Sequence, residues 1–424
     1  MSTLARGLSP VRERLDNGTV VLAQENSTAP AVTISASVLA GSLYEPEDLP
    51  GLASLTAKLL DRGTEHRSAD RIVEELDDRG VALKVSASRH DLTITTTCLA
   101  EDYPDVLRIV ADVVRRPVFP EGQLQRRRAE VITGLRQDED NPFLRAIDAL
   151  VMLLYGPTHP YGRPFKGSIA TIAGLDRGAV AAFHARCFQP AALSLAIVGD
   201  IAPAAAVRHA AVEFGDWCGE PPDLTVVPPP PPAGGRRRQH VEMPGKPQAD
   251  IAYGFTTISR LDPRYYAYWL MNNILGEFGL GGRLAANIRE RQGMAYYAFS
   301  SFDAALGEAP LVVRAGVDPR NVERAIEAID TEVRQLGMEG PSCAEVDAAR
   351  RFLIGSIPRM FETNQSIAAF LQSAEHLGLG LDYDQRLPAL LEAVTIEEVA
   401  AAAAEVLRPE GATIAVAGPV EAVA

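Results

Sequence analysis

The chain has 424 residues, of which 47% are hydrophobic and 23% charged, with a net charge of −14. Such a length and composition describe a soluble globular chain with room for two or three buried cores. The acidic total excludes a nucleic-acid binder working through a basic face, and it leaves peptides as partners with only a long-range bias in the field.

The segment before Asn17 carries Arg6, Arg12, Glu13 and Arg14 without an apolar run, so it does not read as a secretory signal. No stretch reaches the roughly 18 charge-free apolar residues that a membrane-spanning helix needs. Cys98, Cys187, Cys218 and Cys343 form no C-x-x-C pair, which predicts buried free thiols in a reducing compartment. A cytoplasmic protein is the expectation.

In chain order, Leu15-Asp-Asn-Gly18 predicts a turn into a strand. Gly51-Leu-Ala-Ser-Leu-Thr-Ala-Lys-Leu-Leu-Asp-Arg-Gly63 reads as a helix. Glu75-Leu-Asp-Asp-Arg-Gly80 is a charged helix end closed by a glycine able to take positive φ, and an alternating strand follows to Ser88. Tyr103-Pro-Asp-Val opens another helix, and Leu193-Ser-Leu-Ala-Ile-Val-Gly199 is an apolar closing strand. The run 221–238, with consecutive prolines from Pro228 to Pro232, then Gly234, Gly235 and Arg236 to Arg238, predicts a solvated polyproline II linker.

The same order of elements recurs after the linker. Ile288-Arg-Glu-Arg-Gln-Gly293 is again a charged helix end with a glycine stop, followed by a strand to Ser301. Pro319-Arg-Asn-Val opens a helix, and Ala412-Thr-Ile-Ala-Val-Ala-Gly418 closes the chain's second half. Matching elements at matching offsets indicate a tandem duplication. The predicted organisation is α+β: a domain over 1–220, the linker 221–238 and a homologous domain over 239–424. Each domain holds a mixed sheet with helices mainly on one side.

The order and spacing of Gly51-Leu-Ala, Gly63-Thr64, His159-Pro-Tyr-Gly-Arg-Pro-Phe-Lys-Gly167, Phe188-Gln-Pro190 and Val198-Gly-Asp200 resemble the pitrilysin/insulinase family of zinc metallopeptidases, the inverzincins. The resemblance covers nearly the whole chain and is closest to short members that work in pairs, such as the mitochondrial processing peptidase and its bacterial relatives. The family's metal motif is His-x-x-Glu-His on a helix, with a further glutamate some 75 residues later. Aligned on the flanking residues, those positions hold Ser54, Ala57, Lys58 and Gly134. Zinc needs lone pairs from Cys, His or carboxylate, and a lysine sets a positive charge where the cation would sit. The seven histidines form no i, i+3 or i+4 pair elsewhere, so no zinc site is expected in this chain.

The second half carries Gly279-Leu-Gly281-Gly282-Arg, then Arg289, six residues and Tyr296, which is similar to the family's second signature. The resemblance implies that Arg289 and Tyr296 reach substrate near the scissile bond. It makes the chain the zinc-less subunit of a heterodimeric endopeptidase, its partner a homologous zinc-bearing subunit, its substrate a peptide or unfolded segment. On residues alone, Arg289 reads as complementing a helix carbonyl end and Tyr296 as a core or strand residue. The glycine turn reads equally as a short lid or a compact start to a helix. Two rivals stay open: a non-enzymatic scaffold of the same fold, and a hydrolase using Ser54 and Lys58 one helical turn apart; whether the isolated chain pairs with itself is left open as well. The glycine run lacks the Gly-Lys-Ser/Thr ending of a P-loop, which excludes nucleotide binding. Ile288 and Phe299 read as site or core alike.

Overall fold

The computed structural model describes residues 7–220, 226–232, 234–277 and 281–419. Its first sheet contains β1 (Val11–Arg14), β2 (Val20–Glu25), β3 (Ala31–Val38), β4 (Lys84–Ala87), β5 (Leu92–Leu99) and β6 (Leu193–Gly199), in the order β1-β2-β6-β3-β5-β4. The second contains β7 (Arg237–Glu242), β8 (Ala249–Thr256), β9 (Ala295–Phe302), β10 (Pro310–Val317) and β11 (Thr413–Gly418), in the order β7-β11-β8-β10-β9. Only the β2–β6 and β7–β11 pairs are parallel. Removing β1 makes the two sheets topologically identical, strand for strand. The fold is mixed α+β built from two homologous halves.

Glycine sets the breaks in both halves. Gly80 and Gly293 end their helices at φ +63 and +61, as the sequence predicts, and at neither would an added Cβ meet any atom within 4 Å. At Gly199, by contrast, a Cβ would lie 2.1 Å from the Ala31 carbonyl oxygen, so the closing strand of the first sheet admits no side chain there.

The chain forms two compact units that do not follow the linker. Helix Pro142–Tyr155 belongs with the second sheet and helix Asn364–His376 with the first. The reason lies in the strands. β6, β8 and β11 are buried almost throughout, so both faces of each sheet need cover. In the second unit, Tyr253 points to helix Val322–Glu339 and its hydroxyl donates to Asp330 at 2.9 Å. Its neighbour Ala252 faces the other way, packed with Ala146, Leu150 and Leu154 of helix Pro142–Tyr155. In the first unit, Gln372 of helix Asn364–His376 accepts from the Ser35 hydroxyl at 2.8 Å. It also donates to the carbonyls of Ser35 at 2.8 Å and Ser194 at 3.2 Å. Helices of the same half thus cover one face, and a single helix from the other half covers the opposite one.

Both borrowed helices start on local sequence signals. Asn141 accepts the Phe143 N–H at 3.0 Å with Pro142 at the first helical position, and Thr363 and Ser366 form a reciprocal capping box.

The structure corrects two sequence expectations. Arg237 and Arg238 are strand residues of β7 rather than linker, and each of the three arginines has a carboxylate or carbonyl partner. Arg236 forks onto Asp330 at 2.9 Å through both nitrogens, Arg237 donates to Leu153 O at 2.6 Å, and Arg238 pairs with Glu323. Composition cannot show that carboxylates and a helix end wait for these cations. Of the four cysteines, all free, only Cys98 and Cys187 are buried; Cys218 and Cys343 are exposed.

Replacing Gln372 by Leu leaves the Ser35 hydroxyl and two carbonyls short of a partner, and should lower stability by about 2–4 kcal/mol in a urea titration. Gly80→Ala and Gly293→Ala should each cost about 1 kcal/mol, wholly from the left-handed backbone, with Asn at either position restoring part of it. His184 donates from Nε2 to Val114 O at 2.9 Å, stacks on Phe188, and burial lowers its pKa to about 4. Because the unfolded chain takes up this proton near pH 6.5 and the native one only near 4, stability is full above 6.5 and falls through that window. His184→Gln should flatten the pH dependence of the unfolding midpoint there by about one proton.

Candidate functional site

Helix Leu52–Ala57 has no side-chain cap of its own. The buried Glu45 carboxylate serves instead, accepting the N–H groups of Gly51 at 3.1 Å and Ala53 at 2.7 Å, where the helix dipole favours negative charge. Ser54 is half-buried on this helix, Ala57 is buried, and Lys58 is exposed at its C-terminal end. Gly134 is half-buried in helix Glu121–Glu139, with nothing within 4 Å of the place a Cβ would occupy.

None of these four positions supplies a metal donor. Among the described residues, no group of three or more His, Cys, Asp or Glu side chains is placed to hold a metal ion. A nearby carboxylate, Asp61, is already committed. It pairs with Arg62 at 2.9 Å, and burial raises its pKa against the opposing pull of Arg62, Arg127 and Lys58. Cations stand around this acid where a ligand set would need lone pairs, so zinc does not fit this locus. Ser54 and Lys58 make no hydrogen bond to each other, and the exposed lysine lacks the contact that a nucleophile and its base require.

The second unit presents Arg289 and Tyr296 differently. The helix carrying Arg289, Ala285–Arg291, is a π-helix, marked by the Gln292 N–H reaching back five residues to Asn287 O at 3.0 Å. Arg289 is exposed, and its ion pair is with the adjacent, equally exposed Glu290 at 3.6 Å. Ile288, beside it, is fully buried and belongs to the core, whereas Phe299 is half-buried.

Tyr296 is 83% exposed and sits at an irregularity in the edge strand β9. Ala295 pairs with Val317 and Tyr297 with the adjacent Gly316, so Tyr296 is the extra residue of a β-bulge. The bulge lets Ala295 and Ala298 both stay buried while the phenol between them swings out. It is neither a core residue nor hydrogen-bonded to any described residue.

Side chains that the sequence did not single out hold this frame. Asn287 donates to the buried Glu332 at 2.6 Å and accepts from Gln292 at 2.9 Å, and Arg324 donates to Gln292 at 3.1 Å. Arg283 grips Glu345 through two nitrogens at 2.7 and 2.9 Å. Only the position of Asn287, two residues before Arg289, could have hinted at the network. Of the glycine turn, Gly279 lies outside the described residues and Gly281 is exposed. Gly282 is buried, and a Cβ on it would meet Gly276 Cα at 2.8 Å, so these two glycines permit close backbone packing. His159 and Tyr161 are structural: His159 takes the Tyr161 N–H at Nδ1 and donates from Nε2 to Pro228 O at 2.9 Å.

Residues 20–160 match the family model for insulinase (peptidase family M16), and residues 174–353 match that for the peptidase M16 inactive domain. The chain is 26% identical over 421 residues to an uncharacterized zinc protease of Mycobacterium tuberculosis, covering 98% of this chain and 94% of the relative. It is 23% identical to a non-peptidase homolog of Helicobacter pylori (89% and 87% covered) and 24% identical to the rat mitochondrial-processing peptidase subunit beta (96% and 84%). The crystal structure of a peptidase M16 inactive domain from Pseudomonas fluorescens superposes with a TM-score of 0.90 at 26% identity, covering 97% of this chain and 98% of that one. From its two matched segments and its two-sheet architecture, the chain belongs to peptidase family M16.

Proposed function

We propose that this chain is the metal-less, substrate-binding subunit of a two-chain zinc endopeptidase that cuts peptides or unfolded segments in the cytoplasm. The observation that carries the reading is the contrast between the two loci. Ser54, Ala57, Lys58 and Gly134 supply no zinc donor, while Arg289 and Tyr296 are exposed on a braced frame beside an edge strand. Tyr296 is exposed and hydrogen-bonded to no described residue, which favours a use outside the chain.

The chemistry supports that use. Water attack on a peptide carbonyl builds negative charge on its oxygen, and a guanidinium or phenol aimed there stabilises it. Holding the peptide backbone reduces the entropy lost on reaching the attack geometry. Zinc, bound by a homologous partner with an intact His-x-x-Glu-His, would supply the activated water. One relative is described as a non-peptidase homolog and another as one subunit of a processing peptidase, both in keeping with divided labour. Four free cysteines, two of them exposed, favour a reducing compartment. No helix among the described residues is long and apolar enough to cross a membrane.

Mixing the purified chain with such a partner should create peptide cleavage that neither shows alone, with the zinc travelling only with the partner. Arg289→Ala should lower kcat of the mixture by about 10²–10³-fold and Tyr296→Phe by about tenfold, with stability of the chain unchanged. An unaltered rate for both variants would leave a scaffold role in its place.

A further inference from the structure

The second unit contains a cation that no described residue pairs. Arg314, on β10, stands directly opposite Phe299 on β9, and the next pair along the same face is Gly316 opposite Tyr297. The Arg314 guanidinium lies 4.5 Å from the centre of the Phe143 ring at the start of helix Pro142–Tyr155. Phe143 meets Tyr297 edge to face at 5.9 Å, and Tyr297 packs on Phe299 at 5.7 Å. Phe143 therefore covers the guanidinium, with Tyr297 and Phe299 beside it on the face of the sheet's last two strands.

This face is rigid. The Tyr297 hydroxyl donates to the buried Asp250 carboxylate, which Gln248 also contacts. A Cβ on Gly316 would lie 2.5 Å from the Tyr297 ring, so the glycine clears the space in which that ring lies. Asp250 is occupied by these donors and is not available to Arg314.

Arg314 is half-buried, makes no ion pair or hydrogen bond to any described residue, and its Nε is buried without a partner. Burial lowers its pKa, against the opposing influence of Tyr297, Asp303 and Asp148, yet neither acid pairs with it. Stacking on Phe143 accounts for the position of the guanidinium plane but satisfies none of its N–H donors. A planar fork with unspent donors matches a carboxylate. Among the described residues no strand pairs beyond β9, and the exposed Tyr296 lies on this strand. A peptide laid along that edge would place alternate side chains over this face.

We propose that Arg314, covered by Phe143 with Tyr297 and Phe299 beside it, selects an acidic side chain on the extended peptide bound by this subunit. The proposal rests on the peptide-binding reading above and adds a specificity to it. With a net charge of −14, the chain's long-range field opposes acidic ligands, so the preference must come from contact at this cation.

The test uses the full chain and labelled extended peptides in which one glutamate is walked through every position, each compared with its glutamine counterpart by fluorescence anisotropy. The expected result is one position at which glutamate binds about tenfold tighter than glutamine. That preference should vanish in Arg314→Gln and persist in part in Arg314→Lys. Equal affinity at every position, with peptides bound, overturns the assignment of Arg314 and leaves peptide binding standing. A preference that survives Arg314→Gln overturns it as well. Binding of no peptide at all sinks the peptide-binding reading and this one with it. The comparison of peptides on the unaltered chain decides the matter even if Arg314→Gln does not fold.

Discussion

The architecture depends on one constraint: the central strands are buried on both faces, so each sheet needs helices on two sides. β6, β8 and β11 show no exposed position, so a sheet covered on a single side would leave a row of apolar side chains in water. Each sheet meets the deficit with a helix drawn from the other half. Leu150 against Gly254, and Gln372 against Ser35 and Ser194, are the contacts that seat those helices. The polar clamp specifies one seating, because only one register of Gln372 satisfies both carbonyls.

This constraint explains what could and could not be read in the sequence. Strands with a clear period and glycine stops were legible. β6 spans the predicted residues 193–199, and Gly80 and Gly293 take the expected backbone conformation. Local chemistry sets such features, and local chemistry is written in a few neighbouring residues. Membership of helix Pro142–Tyr155 was not legible, because its apolar face fits either sheet and only the strands elsewhere decide. The arginines after the proline run looked like solvated linker, since Asp330, Glu323 and Thr413 lie far along the chain.

The candidate site divides in the same way. That Ala57 and Gly134 offer no side-chain donor could be read directly, because an alanine or glycine has no side-chain lone pair in any fold. What stands in the donors' place could not: the placing of Arg62, Arg127 and Lys58 about Asp61 is a tertiary fact. Arg289 and Tyr296 could be picked out by their spacing, but their exposure, and the bracing by Asn287, Gln292 and Glu332, arise only once the chain has folded. The sheet face around Arg314 carried no motif at all, since its members are scattered over three separate elements.

Two irregularities set the aim of Arg289 and Tyr296: the widened helical turn that carries the first and the bulge whose extra residue is the second. Each is equivalent to the insertion of a single amino acid into a regular element, and each changes the phase of everything after it. The aim of these two side chains is therefore controlled by chain length as much as by residue identity. Relatives sharing the arginine, the tyrosine and the interval between them would present a different surface if one irregularity were lost and its residue taken up in a neighbouring loop. Divergence at this site can proceed by single-codon insertions and deletions that leave both side chains in place and redirect them.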